Sequence, residues 1–167
     1  ARSNGGSIAP TIQQREIVRT GVTALRVDDL HGTTLTIGAQ VRRVGGFVSN
    51  SSTDDLTSPE AHANLTIRVP VSKFDAFVDY LPSLGTLLSQ STNSEDITAQ
   101  VLDYTARLKV MRAQEEVYIR LLKQATTTKT SLEVHDRIMR LRSEIESLDA
   151  QLRAQKESAA MSTIEVS

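Results

Sequence analysis

The sequence predicts an α+β protein whose sheet is interrupted by a long helical hairpin. Strand-like and helix-like segments alternate over residues 15–97, two heptad patterns occupy residues 98–159, and a strand pattern returns over residues 160–167. We therefore expect a ferredoxin-like antiparallel sheet that carries an inserted antiparallel coiled-coil hairpin and a final strand. Residues 1–14 are rich in glycine, serine and asparagine and lack periodicity, which is typical of a flexible leader.

The first strand and helix are indicated by side-chain type and spacing. Residues Glu16–Val27 are rich in β-branched side chains, which favour an extended segment. The next apolar or small side chains recur at steps of four and three, the spacing of one helical face: Leu30, Thr34, Ile37, Val41 and Val44. This helix is expected to end at Gly45-Gly46, because glycine readily adopts the left-handed conformation of a helix end.

Two further strands are predicted around a polar turn. A short strand over Phe47–Ser49 leads into the polar cluster Asn50–Asp55, a typical turn composition that Ser58-Pro59 closes. The return strand, Ala61–Val69, alternates apolar and polar side chains. Its apolar face is expected to consist of Ala63, Leu65, Ile67 and Val69.

A second helix and a fourth strand complete the predicted sheet. Ser72 and Asp75 have the spacing of a capping box, and an apolar face follows up to Leu81. The segment Gly85–Thr92 then returns as a strand. The order strand, helix, strand, strand, helix, strand is that of the ferredoxin-like double βαβ pattern.

The hairpin is predicted by two apolar seams. The first consists of Val101, Tyr104, Leu108, Met111, Glu115, Tyr118, Leu122 and Ala125, and the second of Val134, Ile138, Leu141, Ile145, Leu148, Leu152 and Gln155. Between them lies the linker Thr126–Lys129, and Thr130 with Glu133 forms a capping box that restarts the second helix. A linker this short makes the helices antiparallel. At 1.5 Å per residue the first is roughly 40 Å long.

Composition excludes several classes of function. The net charge of -1 and an aromatic content of 4% argue against nucleic-acid binding. The chain has no cysteine, which excludes disulfides and thiolate metal sites, and no apolar run long enough to span a membrane. The three histidines, His31, His62 and His135, lie in separate segments and do not have the spacing of metal ligands. We therefore expect no metal, no cofactor and no catalytic residues.

Four charged residues are expected to fix the root of the hairpin on the sheet. Arg68 is predicted to pair with Asp96 or Asp103, and Asp103 with Arg107 has the spacing of an ion pair along one helix. This role is structural.

Partner contacts are expected on the hairpin itself. Glu115 is a carboxylate at a seam position, which costs stability unless it reaches solvent or a cation. It is interpreted either as an exposed residue near a loose tip or as a site that sets register or meets a partner. The tip is the other candidate, because a protruding end reaches what the sheet cannot: Thr126, Thr127, Thr128, Lys129 and Thr130.

Several short blocks in order resemble the bacterial family called domain of unknown function 4349, from about Arg15 to Val166. They are Leu65-Thr66-Ile67-Arg68-Val69-Pro70, Leu84-Gly85, Asp96-Ile97-Thr98 with Asp103 and Arg107-Leu108, Glu144-Ile145-Glu146, and Ser162-Thr163-Ile164. The resemblance implies an extracytoplasmic envelope protein, commonly with a lipoprotein-type or other export signal before the domain and a transmembrane helix after it. Some such proteins carry an anti-sigma-like zinc-binding segment on the cytoplasmic side. The family brings no catalytic residues.

We therefore expect a non-enzymatic protein-interaction or sensor module of a membrane-tethered bacterial envelope protein, such as the outer domain of an anti-sigma-like regulator. One alternative is a periplasmic adaptor-like scaffold that docks through its hairpin, and another is a small-ligand domain that uses a cleft between sheet and hairpin root. A homo-oligomer is also open, because Leu102, Ile119 and Leu121 lie off the first seam and are expected to pack on the sheet or on a second copy.

Overall fold

The computed structural model describes residues 15–54 and 61–167. The leader over residues 1–14, Asp55 and the turn at Ser58-Pro59 lie outside the described residues.

The described elements follow one another in the predicted order. They are β1 (Ile17–Arg26), α1 (Leu30–Arg43), β2 (Phe47–Asp54), β3 (His62–Pro70), α2 (Phe74–Tyr80), β4 (Thr86–Asp96), α3 (Thr98–Gln124), α4 (Thr128–Ala160) and β5 (Met161–Val166). Short 3-10 turns, Val71–Lys73 and Leu81–Leu84, flank α2. The protein is thus an α+β domain, as predicted.

The five strands form one mixed sheet in the order β2-β3-β5-β1-β4. The final strand therefore lies in the middle, parallel to β1 and antiparallel to β3. The outer pairs, β2 with β3 and β1 with β4, are antiparallel. Both neighbours of β5 come much earlier in the chain. The sheet is therefore completed by a strand that follows the whole hairpin.

One face of the sheet is covered by α1 and α2. The predicted apolar face of β3 is buried there, and so are Ile164 and Val166 of β5. The helices contribute Ile37 and Val41 from α1 and Phe74, Phe77 and Val78 from α2. Burial of this apolar surface stabilises the sheet by roughly 25 cal/mol per Å² removed from water.

The ends of α1 match its sequence. The Asp29 carboxylate caps the helix by accepting from the Gly32 N–H at 2.9 Å. At the other end Gly45 has a φ of 83°, the left-handed conformation predicted for this position. Gly46 then brings the chain against β3 and into β2.

Two strands are longer than their composition predicts. The predicted turn from Asn50 is wrong up to Asp54, because the backbone of this segment pairs with β3 as far as His62. Likewise β4 continues to Asp96 through its pairing with the first residues of β1. Both are edge strands, where polar side chains reach solvent on either face and cost little.

The predicted capping box of α2 is also wrong. Ser72 lies in the 3-10 turn before the helix, and the N-cap position is Lys73, which makes no side-chain cap. Asp75 instead forms a two-pronged ion pair with Arg19 of β1, with N–O distances of 2.6 and 2.7 Å. Arg19 also lies over the ring of Phe74, with Cζ at 4.5 Å from the centroid. Asp75 thus binds the helix to the sheet.

Gly46→Ala should lower the free energy of unfolding by about 1–3 kcal/mol. A Cβ built at Gly46 would lie 2.3 Å from the Arg68 carbonyl oxygen, which is backbone and cannot rotate away. The matched control is Gly38→Ala inside α1, where the nearest atom is a flexible Arg42 nitrogen at 3.6 Å. This control should gain about 0.5–1 kcal/mol from helix propensity. Urea unfolding measures both, and equal stability of the two variants would contradict the packing argument.

Candidate functional site

The hairpin of α3 and α4 is the feature that distinguishes this chain from a plain sheet-and-helix domain. Every position of the two predicted seams is buried or half-buried, which confirms which faces the helices turn inward. The most enclosed side chains include Val101 and Leu108 on α3 and Leu148 and Leu152 on α4. From Leu108 to the tip, the side-chain hydrogen bonds and ion pairs of the described residues run within the hairpin.

The root is built where β4 ends and β1 begins. The Ile97 N–H donates to the Glu16 carbonyl at 2.8 Å, and the Glu16 N–H donates to the Thr98 hydroxyl at 2.9 Å. Asp96 accepts from the Thr98 N–H at 3.0 Å and so orients the first turn of α3. The Thr98 hydroxyl first, and its N–H second, hold the pKa of the Asp96 carboxyl below its ordinary value of 3.8.

A second apolar cluster lies beneath this root. Ile97, Val101 and Ala159 are its buried members nearest the sheet, and Val18 of β1 packs against them. The hairpin is therefore seated on the start of β1 by apolar contact, in addition to the hydrogen bonds of Asp96 and Thr98.

The four residues predicted at the root do not come together. Arg68 donates to the Thr163 hydroxyl at 2.6 Å, across β3 and β5, so its predicted pairing with Asp96 or Asp103 is wrong. The reason is strand order, because β5 and β1 separate β3 from β4. Asp103 and Arg107 do pair along α3, but at 3.9 Å with both side chains 61% exposed, which contributes little. Of the four, Asp96 is the residue at the root.

Glu115 is explained by a residue on the opposite helix. Its carboxylate accepts from Arg142 Nε at 2.5 Å, and the Glu115 side chain is only 21% exposed. The seam carboxylate thus has a cation, which offsets the cost of placing it between Met111 and Tyr118. It is neither loose nor free at the tip.

A second set of ion pairs between the helices was not predicted. Asp149 of α4 accepts from Arg112 of α3 at 3.0 Å and from Arg153 of its own helix at 2.6 Å. Both arginines flank a seam, which is the position where charged residues cross between paired helices. The flanking position was visible in the sequence, but the partner depends on the register that the turn sets.

The turn at the tip is shorter than predicted. Gln124 ends α3 and Thr128 already belongs to α4, whose N-cap is Thr127. The Thr127 hydroxyl accepts from the Thr130 N–H at 3.2 Å, so the cap lies three residues before the predicted Thr130–Glu133 box. Thr126 to Thr130 are all exposed, and two of them hold the start of α4, because the Thr127 and Thr130 hydroxyls also bond to each other at 2.8 Å.

Other candidate sites give no built centre. The three histidines are exposed on α1, β3 and α4, and the described residues contain no cluster of three His, Asp or Glu side chains able to hold a metal ion. A groove of about 410 Å³ runs along the hairpin, lined by side chains that include Tyr104, Arg107 and Glu144. None of the described helices is both long and apolar enough to cross a membrane.

The geometry defines a class: a mixed five-stranded α+β domain that carries a two-helix hairpin between its edge strand β4 and its central strand β5. The chain belongs to the family described as domain of unknown function (DUF4349), whose model matches residues 15–167. Comparison with curated proteins found no match. Comparison with solved structures likewise found none.

Glu115→Ala and Arg142→Ala should each lower the free energy of unfolding. In a double-mutant cycle with both substitutions, the coupling should be about 0.5–1 kcal/mol, the range of partly exposed ion pairs. Chemical unfolding of the four proteins provides the measurement. Glu116→Ala is the matched control, since Glu116 is exposed on the outer side of α3 and should couple to Arg142 by nearly zero. Absence of coupling for the Glu115 pair would contradict the assignment.

Asp96→Asn should reduce the acid sensitivity of the protein. Because folding lowers the pKa of Asp96, the unfolded state binds more protons than the folded state near that pKa. The stability that Asp96 contributes is therefore present above about pH 4 and is lost as the pH falls. The drop in melting temperature between pH 6 and pH 3 should therefore be smaller in the variant than in the wild type. Asp103→Asn, on the exposed face of α3, should behave like the wild type. An equal drop in the Asp96 variant would count against the root assignment.

Proposed function

We propose that this domain is a non-enzymatic protein-interaction or sensor module on the outer side of a bacterial membrane, tethered by segments outside these 167 residues. The observation that supports an interaction role is the hairpin, whose helices have 27 and 33 residues. Its seam side chains are buried or half-buried, and its tip is exposed. A helix of 27 residues spans about 40 Å, so the tip lies far from the sheet of its own chain and is available to a partner. The envelope location rests on the family resemblance.

We further propose that the sheet is a ferredoxin-like sheet that has accepted an additional central strand. With β5 left aside, the order becomes β2-β3-β1-β4, in which β1 is parallel to β2 and β3 is parallel to β4. Both helical crossovers then lie on one face, as in a double βαβ unit. The hairpin is in this view an antiparallel coiled coil, because its buried positions repeat at steps of three and four.

An adaptor-like scaffold is the second candidate, and the same hairpin favours it. The two proposed functions differ in the partner of the tip. The tip of a regulator contacts a signalling partner transiently, whereas the tip of a scaffold stays bound in an assembly. The proposed outer domain of an anti-sigma-like regulator additionally requires a cytoplasmic segment in the parent protein.

Location is tested by a single cysteine in the full-length protein. The chain lacks cysteine, so Lys129→Cys at the exposed tip gives this domain one thiol. In intact cells a membrane-impermeant maleimide should label it. Cells opened by detergent give the total, and labelling only after opening would contradict an extracytoplasmic domain.

The interaction role is tested by photo-cross-linking in living cells. A photoreactive amino acid at Thr126, which is exposed and not the cap, should link the protein to one discrete envelope protein. The matched position is Lys156, exposed on α4 near the root, where the same link should be lost. Equal cross-linking at both positions, or none at Thr126, would oppose a tip-mediated function.

A further inference from the structure

The outer side of α3 carries a second apolar stripe that no part of the described chain covers. We call it the outer stripe: Leu102, Ala106, Val110, Ala113, Val117 and Leu121. Its four large members are between 42% and 66% exposed, and both alanines are exposed as well. At 3.6 residues per turn these six positions fall within an arc of about 100°, opposite the buried seam. A continuous apolar face on a helix that is already packed on its other side indicates an intermolecular contact.

The spacing of the outer stripe is symmetric about its centre. Successive members are four, four, three, four and four residues apart, so the sequence of steps reads the same in both directions. The centre lies between Met111 and Arg112, which is also the middle of α3, a helix from Thr98 to Gln124. A helix face with this property superposes on itself when the chain direction is reversed.

We propose that the outer stripe is the interface of an antiparallel, two-fold symmetric dimer of this protein. In that arrangement Ala106 of one copy lies opposite Val117 of the other, and Val110 lies opposite Ala113. Leu102 then lies opposite Leu121 at each end. Each valine therefore meets an alanine, which lets the two backbones approach while the gap is filled. A two-fold contact requires this kind of self-complementary surface.

Charges beside the stripe also fit a second copy. Lys109 and Glu116 are exposed on the same border of the outer stripe, and the described residues provide neither with an ion-pair partner. A two-fold axis through the centre brings each border against the same border of the other copy. Lys109 of one copy then lies two residues from the position directly opposite Glu116 of the other copy, an offset of about 3 Å along the helix axis. Two such pairs form in one dimer.

Solution mass tests the interface first. Light scattering should give about twice the 18.3 kDa of one chain. Val110→Arg should give a monomer, because it places two additional cations at the centre of the contact beside Lys109 and Arg112. The matched control is Met139→Arg, at a residue 52% exposed on α4 and outside the stripe, which should stay dimeric. A monomeric wild type, or a dimer that persists in Val110→Arg, would overturn the proposal. In the monomeric case the outer stripe would be a contact for a different protein.

Disulfide trapping tests the antiparallel register. The double variant Ala106→Cys with Val117→Cys should form a covalent dimer on oxidation. Across the two-fold axis, the cysteine at position 106 of one copy lies opposite the cysteine at position 117 of the other copy. Within one helix these positions are 11 residues apart, about 16 Å, so they cannot bond to each other. Each single variant should stay uncross-linked in the antiparallel dimer. Efficient cross-linking of a single variant would indicate parallel helices and overturn the proposed register.

Discussion

The hairpin depends on the spacing of the two strands that carry it. Strands β4 and β5 both flank β1, so they lie two strand spacings apart, roughly 9.6 Å. Packed helices have interaxial distances of about 8–10 Å. Since β4 is antiparallel and β5 is parallel to β1, β4 ends and β5 begins at the same end of the sheet. The sheet thus presents two anchors already separated by the distance that α3 and α4 require.

The same constraint explains how stability is divided between the two cores. The first cluster joins α1 and α2 to the sheet, and the second joins the hairpin to itself and to Val18. Within the described residues the two clusters are connected at the root, through Ile97, Thr98 and the last turn of α4. Farther out the helices rely on seam packing and on crossing pairs such as Glu115–Arg142. The described residues therefore form two apolar clusters that meet at the root.

Periodicity predicted the interior and failed where backbone pairing decides the structure. The alternation in β3 and the steps of three and four in α3 and α4 each identify the buried positions, because burial is what they encode. The polar residues of β2 and β4 contain no such signal, and their extension depends on neighbouring strands. The predicted pairing of Arg68 is wrong for a related reason: no local pattern shows that β5 lies between β3 and β1. The partners of Glu115 and Asp149 likewise follow from a register that the tip fixes.

The central position of β5 has a consequence for how the chain reaches its native state. Residues Thr20 and Thr163 are paired neighbours although 143 positions separate them in the chain. During synthesis the pairs β2–β3 and β1–β4 can form early, but they remain two separate ribbons until Met161–Val166 emerges. The ion pairs within the hairpin join residues 27 and 37 positions apart, and contacts of shorter separation form faster than such distant ones. We therefore expect the helices to form first and the last strand to join the two ribbons into one sheet.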